Sequence, residues 1–211
     1  IAQKSITVVK DDHNQLPLQP ERIDSLAHII LSLDDGARNY LKLFSHDIDR
    51  TQGHVKEIFV NNPLTELGRQ DIQNQLKGID QVVVSLLVRI RMDKGISTID
   101  STHALLLSEL KELPIPIVTF SFGSPYLPSY KMLETYVCTF GYGSITMQAA
   151  SDALWGRKPV NGLLPVDLNS KYVRGFGILK KKRNNGWGQR KQIDFPDAWG
   201  VLDSAIENNI F

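Results

Sequence analysis

The sequence predicts an α/β domain: a mostly parallel sheet of about six strands with helices on both faces. Three observations carry this. Ala27–Leu33 and Val82–Val88 are nearly unbroken apolar runs of strand length, as expected of strands covered on both sides. Strand-length and helix-length patterns alternate along the chain, as parallel strands with helical crossovers require. The breaks between them carry turn and stop residues, among them Asp34-Asp35-Gly36, Gly78 and Pro114.

Taken in order, Ile6–Lys10 alternates apolar and polar residues like a strand, and Asn14-Gln15-Leu16-Pro17-Leu18 turns the chain away. After the strand Ala27–Leu33, the stretch from Ala37 to Ile48 places Leu41, Phe44 and Ile48 at helical spacing. Val55–Val60 is a third strand. Thr65-Glu66-Leu67 opens a helix that runs to Lys77, with Leu67, Ile72 and Leu76 as its apolar positions. Val82–Val88 follows, and then a longer helix over Ser97–Leu113 that turns Leu105, Leu106 and Leu110 inward. Ile115–Phe122 and Val137–Phe140 are strands, Ser144–Trp155 is the last long helix, and Leu163–Leu168 is the last strand of the domain. The domain therefore spans 1–169. A basic, Gly-containing linker or surface extension is expected over 170–197. The spacing of Trp199, Leu202, Ile206 and Ile210 predicts a terminal helix over 198–211.

Composition narrows the function classes. Hydrophobic residues at 42% and charged residues at 22% allow a packed core and exclude wholesale disorder. The 24 basic and 23 acidic side chains nearly cancel, and Lys180–Arg183 is a single short run, so no nucleic-acid partner is expected. No run approaches the ~18 apolar residues of a membrane-spanning helix. The sole cysteine, Cys138, lies in the apolar run Tyr136–Phe140 and reads as a small buried hydrophobe. The chain starts at Ile1 and enters a strand almost at once, which reads as a boundary inside a longer protein.

The segment Ala153-Leu154-Trp155-Gly156-Arg157-Lys158-Pro159 reads as a helix end. Gly156 supplies a left-handed C′ residue and Pro159 blocks continuation. Open parallel sheets bind ligands outside the carboxyl ends of their strands. Here those ends carry Asp34-Asp35-Gly36, Arg89-Ile90-Arg91, Ser121-Phe122-Gly123-Ser124 and Phe140-Gly141-Tyr142-Gly143. The Asp34-Asp35 pair could split its pKa values for acid/base work, but helix capping is the stronger reading. Gly141-Tyr142-Gly143 lacks the remainder of a dinucleotide fingerprint, and Gly123 and Gly141 suit sharp strand-to-helix turns. Ser108-Glu109-Leu110-Lys111 matches a Ser-x-x-Lys pattern but has none of the partner motifs of penicillin-recognising enzymes. The five histidines show no metal-ligand spacing, and His28, at the head of a buried strand, reads as a hydrogen-bonded core histidine. The residues alone predict no catalytic set, no cofactor and no metal site.

Six segments in order resemble the C-terminal α/β domain of glycoside hydrolase family 3. They are Ala2–Lys10 with Leu16-Pro17-Leu18; Asp80–Ser85; Val118–Tyr126; Tyr142; Gln148–Leu154; and, overlapping it, Ala153–Leu168 with its Gly162-Leu163-Leu164-Pro165-Val166. Phe122-Gly123-Ser124-Pro125-Tyr126 is similar to a motif of the β-N-acetylhexosaminidase branch. The resemblance implies a flavodoxin-like three-layer sandwich that packs on an N-terminal (β/α)8 barrel of the same parent chain. It further implies an N-acetylhexosamine-containing glycan bound through that barrel, and a parent that is bacterial and cell-envelope-associated or secreted. In this family the nucleophilic Asp belongs to the barrel, so the isolated chain is expected to be inactive. Asp152, inside a helix, is not that nucleophile. The β-glucosidase branch draws an acid/base Glu from this domain, near a motif that Arg91–Ser97 lacks. Asp34, Ser124 and Tyr142 are the candidates for facing the sugar cleft. The rivals are a domain that supplies its own acid/base carboxylate and a stand-alone flavodoxin-like module binding a nucleotide or sugar. Residues 198–211 are similar to the helix that opens a serine β-lactamase-like domain.

Overall fold

The computed structural model describes residues 2–90 and 98–183. The expectations for Arg91–Ser97, for 184–188 and for the terminal helix over 198–211 lie outside the described residues. Six strands form one sheet: β1 (Thr7–Asp11), β2 (Leu26–Leu31), β3 (Val55–Val60), β4 (Gln81–Val88), β5 (Ile117–Gly123) and β6 (Thr135–Cys138). The helices are α1 (Ala2–Ser5), α2 (Ala37–Tyr40), α3 (Lys42–Gln52), α4 (Glu66–Gln75), α5 (Ser101–Lys111) and α6 (Ser144–Leu154). The strand order is β1-β6-β5-β4-β2-β3. All neighbours are parallel except β1, which runs antiparallel along β6.

Apolar residues on successive strand positions point to opposite faces, so a strand buried at every position must be covered twice. β2 and β4 are buried throughout. One face carries Ile29, Leu31, Val82 and Val84 under Ile72 of α4 and Leu106, Leu107 and Leu110 of α5. The other carries Ile30, Val83, Phe120 and Phe122 under Phe44 and Ile48 of α3 and Met147, Ala150 and Leu154 of α6. The result is a three-layer α/β sandwich. At the centre of the second face the Phe44 ring meets those of Phe120 and Phe122 at 5.1 and 5.2 Å.

Several expected features differ. The helix from Ala37 to Ile48 is two helices, broken at Leu41 (φ −92°, ψ 1°), which ends α2 and caps α3. Leu67 is 77% exposed and Leu105 is 51% exposed. The buried stripe of α5 is His103, Leu106, Leu107 and Leu110, and Leu105 lies about 100° off it. Leu67 precedes Ile72 by five residues, which turns it away from the Ile72–Leu76 stripe in the same way. Leu163–Leu168 is not a strand. Pro165 has no N–H to give a ladder, and the segment makes scattered bonds instead: Leu164 N–H donates to Phe176 O at 2.8 Å and Leu168 N–H to Tyr172 O at 2.8 Å. The positive φ at the end of β6 falls on Phe140 (58°), not on Gly141.

The helix stop at Trp155–Arg157 forms as its residues require. Gly156 has φ +65°. Arg157 N–H donates to Asp152 O at 2.8 Å and Gly156 N–H to Ala153 O at 3.4 Å, the paired bonds of a Schellman cap. The two side chains that flank Gly156 then tie α6 to α3. Asp47 is buried, and its carboxylate accepts from Trp155 Nε1 at 3.1 Å and, on both oxygens, from Arg157 Nη1 at 2.9 Å. Gly162 is needed for a different reason, since a Cβ there would lie 2.2 Å from Ile6 O. Residues 170–183 fold back over β1: Tyr172 is buried in the core and Ile178 N–H donates to Val8 O at 2.8 Å. Lys180 pairs with Asp11, and Arg183 with Glu21 at 3.0 Å.

Candidate functional site

In this strand order β2 connects onward to β3 on one side and β4 onward to β5 on the other, so the winding reverses between β2 and β4 and leaves a crevice outside their carboxyl ends. A cavity of about 340 Å³ opens there, with Leu31, Leu87 and Val88 on its apolar side and Asp34, Arg89 and Asp100 among its polar groups.

The turn after β2 aims Asp34. Its Oδ1 accepts from Gly36 N–H at 2.9 Å, its carbonyl accepts from Ala37 N–H at 2.9 Å, and Ser32 Oγ, itself bonded to Leu87 O, accepts its N–H at 3.1 Å. The helix N-cap position of α2 is held by Gly36 without a side-chain bond, so Asp34 stabilises the turn rather than capping the helix directly. Its second oxygen, Oδ2, is left for Arg89, whose Nη1 donates to it at 2.9 Å. Asp35 turns elsewhere and accepts from Asn61 Nδ2 at 2.9 Å. The two carboxylates therefore have separate partners.

Arg89, directly after β4, is the hub. Its Nη1 also donates to the Tyr40 hydroxyl at 3.2 Å, and its guanidinium carbon lies 5.1 Å from the Tyr40 ring centre and 5.9 Å from that of Tyr142. The two rings are 5.6 Å apart. Asp34 first, and then the Tyr142 hydroxyl, hold the guanidinium firmly protonated. Asp34 and Tyr142 thus meet through Arg89. Ser124 does not join them. It is fully buried, donates its N–H to Val88 O at 3.0 Å, and accepts from Ser121 Oγ on its carbonyl at 2.6 Å. Gly123 beside it needs both its φ of +95° and its missing Cβ, which would sit 2.4 Å from Val88 O. The sequence places Arg89 at a strand end but offers no sign that Tyr40 is its partner. The break at Leu41 separates Tyr40 from the Phe44–Ile48 core face.

The other candidates resolve structurally. Asp100 caps α5 by accepting from Thr102 N–H at 2.8 Å. Burial alone raises its pKa, but the Thr102 hydroxyl and backbone bonds outweigh burial and lower it. His28 is buried between Ser85 Oγ at 2.8 Å and Ser45 Oγ at 3.3 Å, and burial pushes it down to about 3. It is neutral and inside the core. Ser108 Oγ donates to Ala104 O at 3.1 Å, while Lys111 Nζ donates to Lys131 O at 2.8 Å, so they do not form a nucleophile–base pair. Asp152 is buried in α6 and paired with Lys158 at 2.7 Å. Burial drives the Cys138 thiol up to about 12. Among the described residues no three His, Cys, Asp or Glu side chains are grouped as metal ligands, and no helix is long and apolar enough to cross a membrane.

No family model and no curated protein sequence matches the chain. Solved structures do. A fungal multi-domain GH3 β-N-acetylglucosaminidase, which also has a GCN5-related glucosamine N-acetyltransferase region, is similar with a TM-score of 0.63 and 18% identity, over 80% of this chain and 18% of that one. A glycoside hydrolase family 3 β-N-acetylglucosaminidase from Paenibacillus sp. str. FPU-7 gives 0.60 and 18%, over 80% and 31%. A β-glucosidase from Listeria innocua gives 0.65 and 14%, over 79% and 26%. The chain thus spans less than a third of the length of each. Its fold is one that glycoside hydrolase family 3 enzymes carry as part of a longer chain.

Proposed function

We propose that this chain is the accessory, C-terminal α/β domain of a family 3-type glycoside hydrolase of the β-N-acetylhexosaminidase branch. It packs on a (β/α)8 barrel of the same parent, and the carboxyl end of its sheet forms one wall of the sugar cleft. The observation that carries this is the pairing of the fold, shared with segments of family 3 enzymes, with a polar cluster (Asp34, Arg89, Tyr142) at the sheet end where such folds receive ligands. Glycoside hydrolysis uses two carboxylates flanking the bond. Asp34 is paired with Arg89 and Asp35 faces Asn61, so these two described carboxylates do not form such a couple. The branch rests on Phe122–Tyr126 and not on the fold, because the β-glucosidase is as similar as the N-acetylglucosaminidases.

The test is expression of the complete reading frame that contains this sequence, assayed with p-nitrophenyl N-acetyl-β-glucosaminide and p-nitrophenyl β-glucoside. Hydrolysis of the first is expected, with none by the 211-residue chain alone. A parent without a (β/α)8 region, commonly about 250 residues, would overturn the reading, as would micromolar binding of a nucleotide by the isolated chain. Preference for the glucoside would favour a domain that donates its own carboxylate. Asp35 and Asp100 variants that cut kcat without moving KM would then point to that residue.

A further inference from the structure

We propose that the outer face of the fold-back formed by residues 160–182 is a docking surface, and that its occupant is the chain's own segment 192–211. The proposal goes beyond the glycosidase reading and does not depend on it.

The fold-back is an antiparallel excursion over the β1 edge. Val160 and Lys180 each donate an N–H to the other's carbonyl at 2.8 Å. Nearer the turn, Gly175 N–H donates to Leu164 O and Leu164 N–H to Phe176 O, both at 2.8 Å. Leu164 and Tyr172 go inward to the core and Ile178 packs against it. Leu163 and Leu179 stay outside, 52% and 68% exposed. Leu163 lies over Gly177, where an added Cβ would meet its Cδ2 at 3.2 Å, so it stands beside the strand that carries Leu179 two residues on. Val166 and Val173 extend the apolar exposure towards the turn. Exposed apolar side chains gathered on one element mark a contact surface.

Charge names the occupant. The fold-back carries four exposed cations, Lys171, Arg174, Lys181 and Lys182, against one exposed acid, Asp167. Lys180 and Arg183 are engaged by Asp11 and Glu21, whereas Arg174, Lys181 and Lys182 form no ion pair among the described residues. The segment 192–211 has the opposite balance: four acids, Asp194, Asp197, Asp203 and Glu207, and no lysine or arginine. Its Leu202, Ile206 and Ile210 recur at helical spacing, and Asp203 and Glu207 follow them one position on. An apolar stripe edged by carboxylates complements an apolar patch edged by lysines. The tether allows the meeting. Eight residues separate Arg183 from Gln192, and Leu179 lies only four before Arg183. Eight extended residues reach about 27 Å. So short a link holds the two surfaces at an effective concentration on the order of millimolar, enough to populate a weak contact within one chain.

The test attaches a nitroxide to the 211-residue chain through Asn208→Cys; Cys138 is buried and does not compete for the label. Paramagnetic loss of amide signal is expected at Leu163, Val173 and Leu179, unchanged on dilution, and absent at the exposed Leu67 of α4. Lys181→Glu with Lys182→Glu is expected to restore those signals at an unchanged thermal midpoint, since both side chains are exposed. Leu179→Ser is expected to do the same. Adding Asp203→Lys and Glu207→Lys to the lysine reversal is expected to bring the loss back. No loss at the fold-back overturns the proposal, as does a loss that survives both the lysine reversal and Leu179→Ser. Broadening of a ¹⁵N-labelled chain by a separate nitroxide-bearing chain makes the occupant a second copy and overturns it too. Binding to phosphatidylglycerol vesicles that the lysine reversal abolishes, with no loss within the chain, assigns the face to an anionic membrane and also overturns it.

Discussion

Acid should destabilise this domain through His28 in a way that one substitution removes. The imidazole is buried between Ser85 and Ser45 at 2.8 and 3.3 Å, and burial lowers its pKa from 6.5 to about 3. Because the folded-state value is the lower one, the unfolded chain takes up the proton first, and stability rises with pH across the window between them. The contribution is complete above about pH 6.5 and is lost as pH falls towards about 3, at ~1.4 kcal/mol per pH unit once well below 6.5. The whole window is worth about 5 kcal/mol on this scale. Between about pH 7.5 and about pH 5.5, where carboxylates barely titrate, the loss is ~1.4 kcal/mol, or a fall of roughly 3–5 °C in Tm for a domain this size. His28→Gln keeps an amide within reach of Ser85 and has no proton to gain. Thermal unfolding followed by circular dichroism at both pH values should show the decline in the wild type and a nearly flat Tm in the variant. Equal pH slopes in the two proteins would refute the reasoning, because the acid sensitivity would then have another source.

Asp47→Ala should cost about 2–3 kcal/mol in urea unfolding, since it strips the buried Trp155 Nε1 and the Arg157 guanidinium of their acceptor. That is below the about 3–5 kcal/mol of a fully buried pair, because Arg157 is 32% exposed. Gly162→Ala forces a Cβ to 2.2 Å from Ile6 O and should cost about 3 kcal/mol or more, seen as a lowered Tm or insoluble expression. Gly143→Ser, at the N-cap of α6 with open space around it, should instead raise stability by a few tenths of a kcal/mol, roughly 0.3. A fluorescent penicillin should leave Ser108 unlabelled in intact-mass analysis, because Ser108 and Lys111 face different carbonyls.

Where a residue's neighbours in sequence decide its surroundings, the chain was readable. β2 and β4 declare themselves because nearly every position is apolar or small, His28 and Gln81 apart, and Gly156 declares the end of α6 because few residues tolerate its φ. His28 was legible for the same reason: a lone polar ring inside an apolar strand has to find partners there. Distant partners were not legible. Nothing local says that Tyr40 meets Arg89 across 49 positions, or that Trp155 and Arg157 converge on Asp47 more than 100 positions away. The Leu163–Leu168 segment misleads for a related reason. Its apolar residues have strand-like spacing, but a strand also needs a continuous partner ladder, and the one available is interrupted by Pro165 and by the close pass of Gly162 over Ile6. Of the three candidates for the sugar cleft, Asp34 and Tyr142 come together only because the topology gathers the ends of β2, β4 and β6. Ser124, three residues past Ser121 on β5, is drawn inward by its bond to Val88.

The two ends of the sheet hold their polar groups differently. Towards the amino ends of the parallel strands the chain is stitched by groups with few free contacts: Asp47 with Trp155 and Arg157, Asp11 with Lys180, Glu21 with Arg183, and the Schellman turn at Gly156. At the carboxyl ends the polar groups are held in place yet left open, as with Arg89 over its two rings. Substitutions at the two ends therefore separate in experiment. Variants at Asp47 or Gly156 lower Tm and reduce every activity of a parent enzyme in proportion to the folded fraction. On the proposed cleft reading, Arg89→Lys leaves Tm in place and moves KM for the parent's substrate, because the group it alters is part-exposed and supports little of the core. A variant of Asp47 that changed KM at constant Tm, or an Arg89→Lys protein that unfolded early, would show that the two ends are one cooperative unit.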